Sequence, residues 1–332
     1  MNETLRAPRR GLPVAGSRES ASVVPAIRHS YHRPLTSAGQ RQGPDRDTPA
    51  GGSMAGPDYA LPAVALRKST EIVQQIAELR WYHTIDLPGG ITTPGRYDHR
   101  PIVNALPWPD LRGVRCLDVG SRDGFFAFEM ERRGASEVVS LDIDDPSEVD
   151  FPTFRPPREE IRHELSAGNR AFEVARAALG SGVRRELRSV YKLRPEAVGT
   201  FEFAVLGTLL LHLRDPVGAL SAVRTVLHGP LLLNEAISPS LDVVRSRPLA
   251  EPVMPPGLPF WWSVNSRCLE RIVEAAGFDV VVTSRPYLLR NGPGAPRSEL
   301  RRCFRWPIRD TVRNLMQLRG DLHCWILARP IP

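Results

Sequence analysis

Val114-Arg-Cys-Leu-Asp-Val-Gly-Ser-Arg-Asp-Gly-Phe-Phe-Ala-Phe-Glu-Met-Glu131 reads as a buried strand, a tight glycine turn and a helix. Leu117 and Val119 are the apolar residues of the strand. Gly120 and Gly124 let the backbone turn sharply and approach a ligand where a side chain would stand in the way. The helix after the turn aims its first amide groups at whatever rests there. Asp118 stands two places before the first glycine. A second acid, Asp142, closes the next apolar run, Val138-Val-Ser-Leu-Asp142, 18 residues past Gly124. That is near the spacing at which a carboxylate accepts hydrogen bonds from ribose hydroxyls. A dinucleotide fingerprint, G-x-G-x-x-G, fits less well, because Arg122 and Phe125 stand where it needs glycine.

Outward from this stretch, strands and helices alternate. Strands are expected at about 114–119, 138–142, 186–191, 201–206, 230–237, 278–284 and 323–328. Helices are expected at 124–133, 168–179, 216–227 and 266–276, the last closed by Gly277. Such alternation implies a doubly wound sheet. Residues 239–260 hold six prolines, and a substrate-loop insertion is expected at 239–262. Upstream, Ile72, Val73, Ile76 and Leu79 have helix spacing, and Trp81-Tyr-His-Thr-Ile-Asp86 follows. A segment from 59 to 112 is therefore expected to form a helical lid ahead of a main domain at 113–332. Residues 1–58, rich in Pro, Gly, Ser and Arg, read as a disordered tail. Met54 offers an alternative start, and a tail that touches RNA is the other reading.

The chain has 332 residues, with 42% hydrophobic content and a net charge of +7. Residues 1–53 carry +4 of that charge, so the remainder is only mildly basic and has no strong nucleic-acid footprint. Lys68 and Lys192 are the only lysines among 44 basic residues, a bias read as coding composition. No apolar run reaches the ~20 residues that cross a bilayer, and no signal peptide is visible, so a cytoplasmic protein without membrane contact is expected. Cys116, Cys268, Cys303 and Cys324 lie far apart with no C-x-x-C spacing, and no metal is expected. Cys116 and Cys324 sit in apolar runs and are expected to pack as small hydrophobes. Nothing in the sequence speaks to oligomeric state.

A second signature is Phe203-Ala-Val-Leu-Gly-Thr-Leu-Leu-Leu-His-Leu-Arg-Asp-Pro216. In open α/β sheets ligands lie outside the carboxyl ends of the strands, which places Gly207, Thr208 and His212 at one crevice. Asp215-Pro216 is expected to start the next helix as cap and first-turn proline.

The run Asp118-Val-Gly-Ser-Arg-Asp-Gly124 with Asp142 resembles motifs I and II of the class I S-adenosylmethionine-dependent methyltransferases. Their usual pattern is D-x-G-x-G-x-G and then an acid closing the second strand; Arg122 stands at the middle glycine. Over roughly residues 75–285 a tighter set is similar to the tRNA mo5U34 (wobble uridine) methyltransferases. That set is Trp81-Tyr-His-x-Ile-Asp, the glycine loop, Ser189-Val-Tyr, Gly207-x-Leu-Leu-x-His-Leu-Arg-Asp-Pro, and Asn265 with Ala276-Gly-Phe278.

The resemblance implies a seven-stranded Rossmann-like methyltransferase sheet with its last strand antiparallel, and S-adenosyl-L-methionine as cofactor. Asp118, Gly120, Ser121 and Gly124 would cradle it. Asp142 would hold the ribose, Ile143, Ser189 and Val190 the adenine, and Gly207 and Thr208 the methionine part. His212 would be the general base, titrating near the ~6.5 of a free histidine, with Tyr82 as its lid partner. His83 and Asp86 would polarise an acceptor or simply pack. Trp261 and Trp262 would wall the substrate pocket or anchor their loop. The best-known relative transfers a carboxymethyl group and uses a tyrosine just before the motif histidine. Leu211 stands there and has no hydrogen-bonding group, so ordinary S-adenosylmethionine is expected. The expected acceptor is an O or N nucleophile of a small molecule. The alternatives are a tRNA wobble uridine, or cofactor binding without catalysis.

Overall fold

A computed structural model describes residues 72–152, 155–255, 257–295 and 319–332. The tail expected at 1–58, the start of the lid and Cys303 lie outside the described residues. Residues 72–78 form α1, which buries Ile76. Four short strands follow, β1 (Trp81–His83), β2 (Asp86–Leu87), β3 (Ile91–Thr92) and β4 (Gly95–Asp98), then one turn, α2 (Arg100–Val103). The alternating part runs β5 (Arg115–Val119), α3 (Phe125–Arg132), β6 (Glu137–Asp142), α4 (Arg158–Leu179), β7 (Arg184–Leu187), α5 (Pro195–Val198), β8 (Phe203–Gly207), α6 (Pro216–Val226) and β9 (Leu231–Ala236). It closes with α7 (Pro239–Asp242), the hairpin β10 (Ala250–Pro252) and β11 (Trp262–Val264), α8 (Ser266–Ala275), β12 (Phe278–Thr283), β13 (Tyr287–Asn291) and β14 (Gly320–Pro330).

Strands β7, β6, β5, β8 and β9 lie side by side and parallel. β14 runs antiparallel beside β9, and its other edge takes both β12 and β13. In order along the chain, the seven expected strands are thus arranged 3-2-1-4-5-7-6, with the last one reversed. The order turns back at β5, which opens a crevice at the carboxyl ends of β5 and β8. Alternation along each strand splits the core between the two faces. Leu117, Val119 and Leu206 face α6 and α8, while Cys116, Phe203 and Val205 face α3 and α4. Cys116 and Cys324 are buried free thiols, each pushed up to about 12 by burial.

Among the described residues the sheet has ten strands, because three more join beyond the expected seven. β13 pairs with β14, β4 with β13, and β1 with β4. The helix expected from Ile72 onward is present as α1, and the lid segment after it is extended, its strands prolonging the main sheet. Helical spacing upstream ends at Leu79, and Thr93-Pro-Gly95 supplies turns where the chain then pairs as strands. The first helix after β6 begins ten residues earlier than expected, directly after Pro157. Its early turns are polar outward, so apolar spacing does not reveal them. The third parallel strand ends at Leu187, short of the expected 191, because Arg188 N already donates to Asp142 O at 2.6 Å and the chain leaves the sheet. Asp215 Oδ1 accepts from Gly218 N at 2.7 Å, and Pro216 follows, so α6 starts as expected. Among the described residues no helix is long and apolar enough to cross a membrane.

Candidate functional site

The loop after β5 is stitched to the end of β6. Gly120 N and Ser121 N both donate to Leu141 O, at 2.9 and 3.1 Å. Arg122 N donates to Asp142 Oδ2 at 2.7 Å, and Ile143 N to Asp142 Oδ1 at 2.8 Å. Three residues of the loop are left-handed: Gly120 at φ 73°, Arg122 at 51° and Gly124 at 93°. Arg122 thus keeps the conformation a middle glycine would take, at a steric cost of about 1–2 kcal/mol. A Cβ at Gly124 would come 2.6 Å from the Phe128 ring and 2.7 Å from Phe172, so only glycine fits there. Beneath the loop Asp118 is buried, and its Oδ2 accepts from Ala127 N at 3.0 Å, holding the first turn of α3. Burial pushes that carboxyl up to about 6.

This cradle fits a nucleoside ligand on two counts. Asp142, with two donors within 2.8 Å, keeps lone pairs for ribose hydroxyls. A cleft of about 720 Å³ opens beside it, lined by Asp144, Asn169, Arg185 and Leu187. Arg185 orders that wall through Ser140 Oγ at 2.8 Å, Asn169 Oδ1 at 2.6 Å and Asp142 at 3.4 Å. Ile143 is half-buried, and Ser189 and Val190 are nearly enclosed just past β7.

The lid docks on the same loop through Asp123. Its Oδ2 accepts from Tyr82 N at 2.7 Å and His83 N at 2.9 Å, and its Oδ1 pairs with His83 Nδ1. His83 is buried, 5.5 Å from the Phe125 ring and 5.1 Å from His99. This places it beneath the lid, where it fixes Tyr82. Asp86 is exposed and paired with Arg100 at 2.5 Å. Tyr82 itself lies beside the Thr208 side chain, and burial raises its hydroxyl to about 12, so it stays protonated.

At the end of β8, Thr208 is held at φ 50°. His323 on β14 carries its proton on Nδ1, because Asp321 O lies 3.0 Å away and can only accept. Its Nε2 therefore accepts from Thr208 Oγ1 at 3.2 Å. Gly207 is packed too tightly for a side chain, since a Cβ would meet Phe126 at 2.9 Å. The turn carrying His212 hangs on Glu235 of β9, whose Oε1 accepts from Leu209 N at 2.6 Å and Leu210 N at 2.9 Å. Glu235 is buried, which raises its pKa to about 8.

His212 Nδ1 lies 2.8 Å from Pro259 O and must donate to it, so the neutral ring presents a lone pair on Nε2. Burial lowers the ring to about 4, well below the free value that the sequence suggested. The proline-rich insertion sets this geometry. Trp261 N donates to Leu211 O at 2.8 Å, Trp261 Nε1 to Asp150 O at 3.3 Å and Trp262 Nε1 to Arg214 O at 3.4 Å. Both indole N–H groups are thus spent on anchoring the insertion over the His212 turn.

The fold brings Tyr82 against Thr208, four residues before His212, and ties Asp142 to the glycine loop through Arg122 N. Asp123, Glu235 and His323 were not picked out from the sequence. Glu235 had a signal, an acid inside the apolar run Leu231–Ala236, and Asp123 lay inside the glycine loop itself. His323 becomes visible only once β14 lies beside β9.

No protein-family model matches the chain. Over 123 residues it is 28% identical to a tRNA U34 carboxymethyltransferase of Campylobacter hominis, a match spanning 37% of this chain and 35% of that protein. Among solved structures it is similar to an S-adenosylmethionine-dependent methyltransferase from Mesorhizobium loti, with 16% identity and a TM-score of 0.40 over 70% of this chain and 97% of that one. It is also similar to the Burkholderia thailandensis 1,6-didemethyltoxoflavin-N1-methyltransferase, with 16% identity and a TM-score of 0.37 over 86% and 94% of the two chains.

Proposed function

We propose that the chain is an S-adenosylmethionine-dependent methyltransferase acting on an O or N nucleophile of a small molecule. The observation that carries this is the glycine loop joined on one side to Asp142 and on the other, through Asp123, to Tyr82. It spans the crevice between a ribose-binding carboxylate and the Thr208–His212 turn. When bound, the cofactor supplies a methyl group already activated on a sulfonium. The protein's task is then to align two reactants, exclude water and take up a proton.

Asp142 and Ser121 orient the nucleoside, and Gly207 and Thr208 line the path to the acceptor. Tyr82, protonated, closes the mouth and donates. His212 Nε2 accepts the acceptor's proton, its ring held by Pro259. His83 positions Tyr82 through Asp123 and does not meet the acceptor. The 123-residue likeness to a tRNA U34 carboxymethyltransferase supports a second reading, in which the acceptor is a tRNA base. The mild charge of residues 54–332 favours the first.

Calorimetric titration of S-adenosylhomocysteine tests the cofactor assignment. Asp142→Ala should weaken binding by about ten- to over a hundredfold, the loss of a charged hydrogen-bond partner. Unchanged affinity in a folded variant refutes it. Incubation with labelled cofactor and bulk tRNA separates the two acceptor classes.

A further inference from the structure

We propose that Arg96 and Arg122 form a cradle for an anionic group, a carboxylate or a phosphate, on the methyl acceptor. The inference rests on the methyl-transfer reading above and names the acceptor's chemical class. Arg122 lies 5.9 Å over the Tyr82 ring and Arg96 5.3 Å over the Tyr97 ring. The two tyrosines meet edge to face at 5.2 Å, so the two guanidiniums flank one aromatic pair, with Arg122 also facing Gly168 of α4.

Neither guanidinium has a hydrogen-bond or ion-pair partner among the described residues. The nearby carboxylates are already committed. Asp98 is held by Arg100, Asp123 by His83, and Asp321 by the Tyr97 hydroxyl. Asp142 takes Arg185 and backbone N–H groups, and Glu235 takes Leu209 N and Leu210 N. Both arginines also act at the reacting end of the cleft, where their charges favour the ionised Tyr82 hydroxyl and the neutral His212 ring.

With the cofactor bound, its sulfonium and the two guanidiniums would put like charges into one cleft. An anionic group on the acceptor offsets them, and the planar fork of arginine matches a carboxylate or phosphate in two-point contact. Stacking on the tyrosines holds the forks in place before the anion arrives. Arg122 thereby acquires a role that a glycine at its position has no side chain to fill, despite its left-handed backbone.

The test needs no identified acceptor. The full chain is saturated with S-adenosylhomocysteine and titrated with inorganic phosphate, benzoate and the neutral isostere benzamide. Phosphate and benzoate should bind, benzoate at least about tenfold tighter than benzamide, the scale of one charge-assisted contact. In the R96Q/R122Q pair that preference should fall to near unity. The R96K/R122K pair, which keeps charge without the fork, should fall between.

If S-adenosylhomocysteine does not bind the wild type, the methyl-transfer reading fails. If it binds while neither anion does, or while the anions bind both forms alike, the cradle is refuted. One further outcome also overturns it. If R96Q/R122Q loses S-adenosylhomocysteine but keeps 5′-methylthioadenosine, which lacks the amino-acid carboxylate, the arginines serve the cofactor and not the acceptor.

Discussion

His212 carries its proton on Nδ1 because a carbonyl oxygen, Pro259 O, is its only hydrogen-bond partner among the described residues. The proposed role as a base would use the Nε2 lone pair this leaves. His212→Ala should leave S-adenosylhomocysteine affinity nearly intact and slow methyl transfer by ~10²–10⁴-fold. Burial holds the ring near 4, so the rate should fall on an acid limb at about that pH and stay flat through neutrality. An acid limb near 6.5 removes His212 as the group reporting in the profile. Glu235 works at the same turn from below. Its folded pKa, about 8, lies above the unfolded carboxyl value, so the native state holds a proton that the unfolded chain releases. Its stabilising contribution is complete below about 4.5 and is lost as pH rises to about 8. Glu235→Gln keeps a carbonyl for Leu209 N and Leu210 N and should flatten this dependence. Glu235→Ala orphans both amides and should cost at least about 1–3 kcal/mol in urea unfolding. A wild-type unfolding midpoint for Glu235→Ala contradicts the hydrogen-bonding account.

At the scale of elements, the loop between β5 and α3 is where strand, helix and lid meet. Gly124 opens α3 with a left-handed backbone against two buried rings, Phe128 and Phe172, themselves stacked 5.4 Å apart. Gly124→Ala combines backbone strain with overpacking and should lose about 2–4 kcal/mol. Asp123 ties β1 to the same loop by accepting from two backbone amides and the His83 ring. Removing one partner of a buried pair strands the other, so Asp123→Ala should cost about 3–5 kcal/mol. The 80–98 segment should also become the first site of limited proteolysis, since β1 is an edge strand held in the sheet only by β4. Protease cuts elsewhere, with that segment intact, would show that the lid is held by its sheet pairing alone.

For the whole molecule, one sheet joins the lid to the strands that open the candidate crevice, since β1 and β4 reach β14 through β13. The lid is thus fixed at its strands, which carry Tyr82 and Arg96. Residues 1–53 hold over half of the net charge in a composition that lacks the apolar periodicity of a core. A chain beginning at Met54 should match the full chain in melting temperature and in S-adenosylhomocysteine affinity. A large fall in either gives the leading segment a part in folding or binding.

The parallel core, its strand boundaries within a few residues, the glycine loop and the Asp215 cap could be read from the sequence alone. Each depends on local rules: apolar alternation, the conformational freedom of glycine, and a side chain reaching an amide three residues away. β13 and the lid strands could not be read, because they are short and take their hydrogen bonds from strands distant in sequence. The same holds for the site. Asp142 stands at a strand end that periodicity marks, whereas His212 lies on a turn five residues past β8 and was singled out through the resemblance. What His212 can do was not legible, because its tautomer depends on Pro259 and its pKa on burial, and both arise where the insertion folds back over the turn. Asp123 and Glu235 likewise gain their meaning from partners 40 and 26 residues away. Local sequence specifies which groups are present and where the backbone must turn. Only tertiary packing sets which lone pairs and charges remain unspent, since that is decided by non-local neighbours and by exclusion of water.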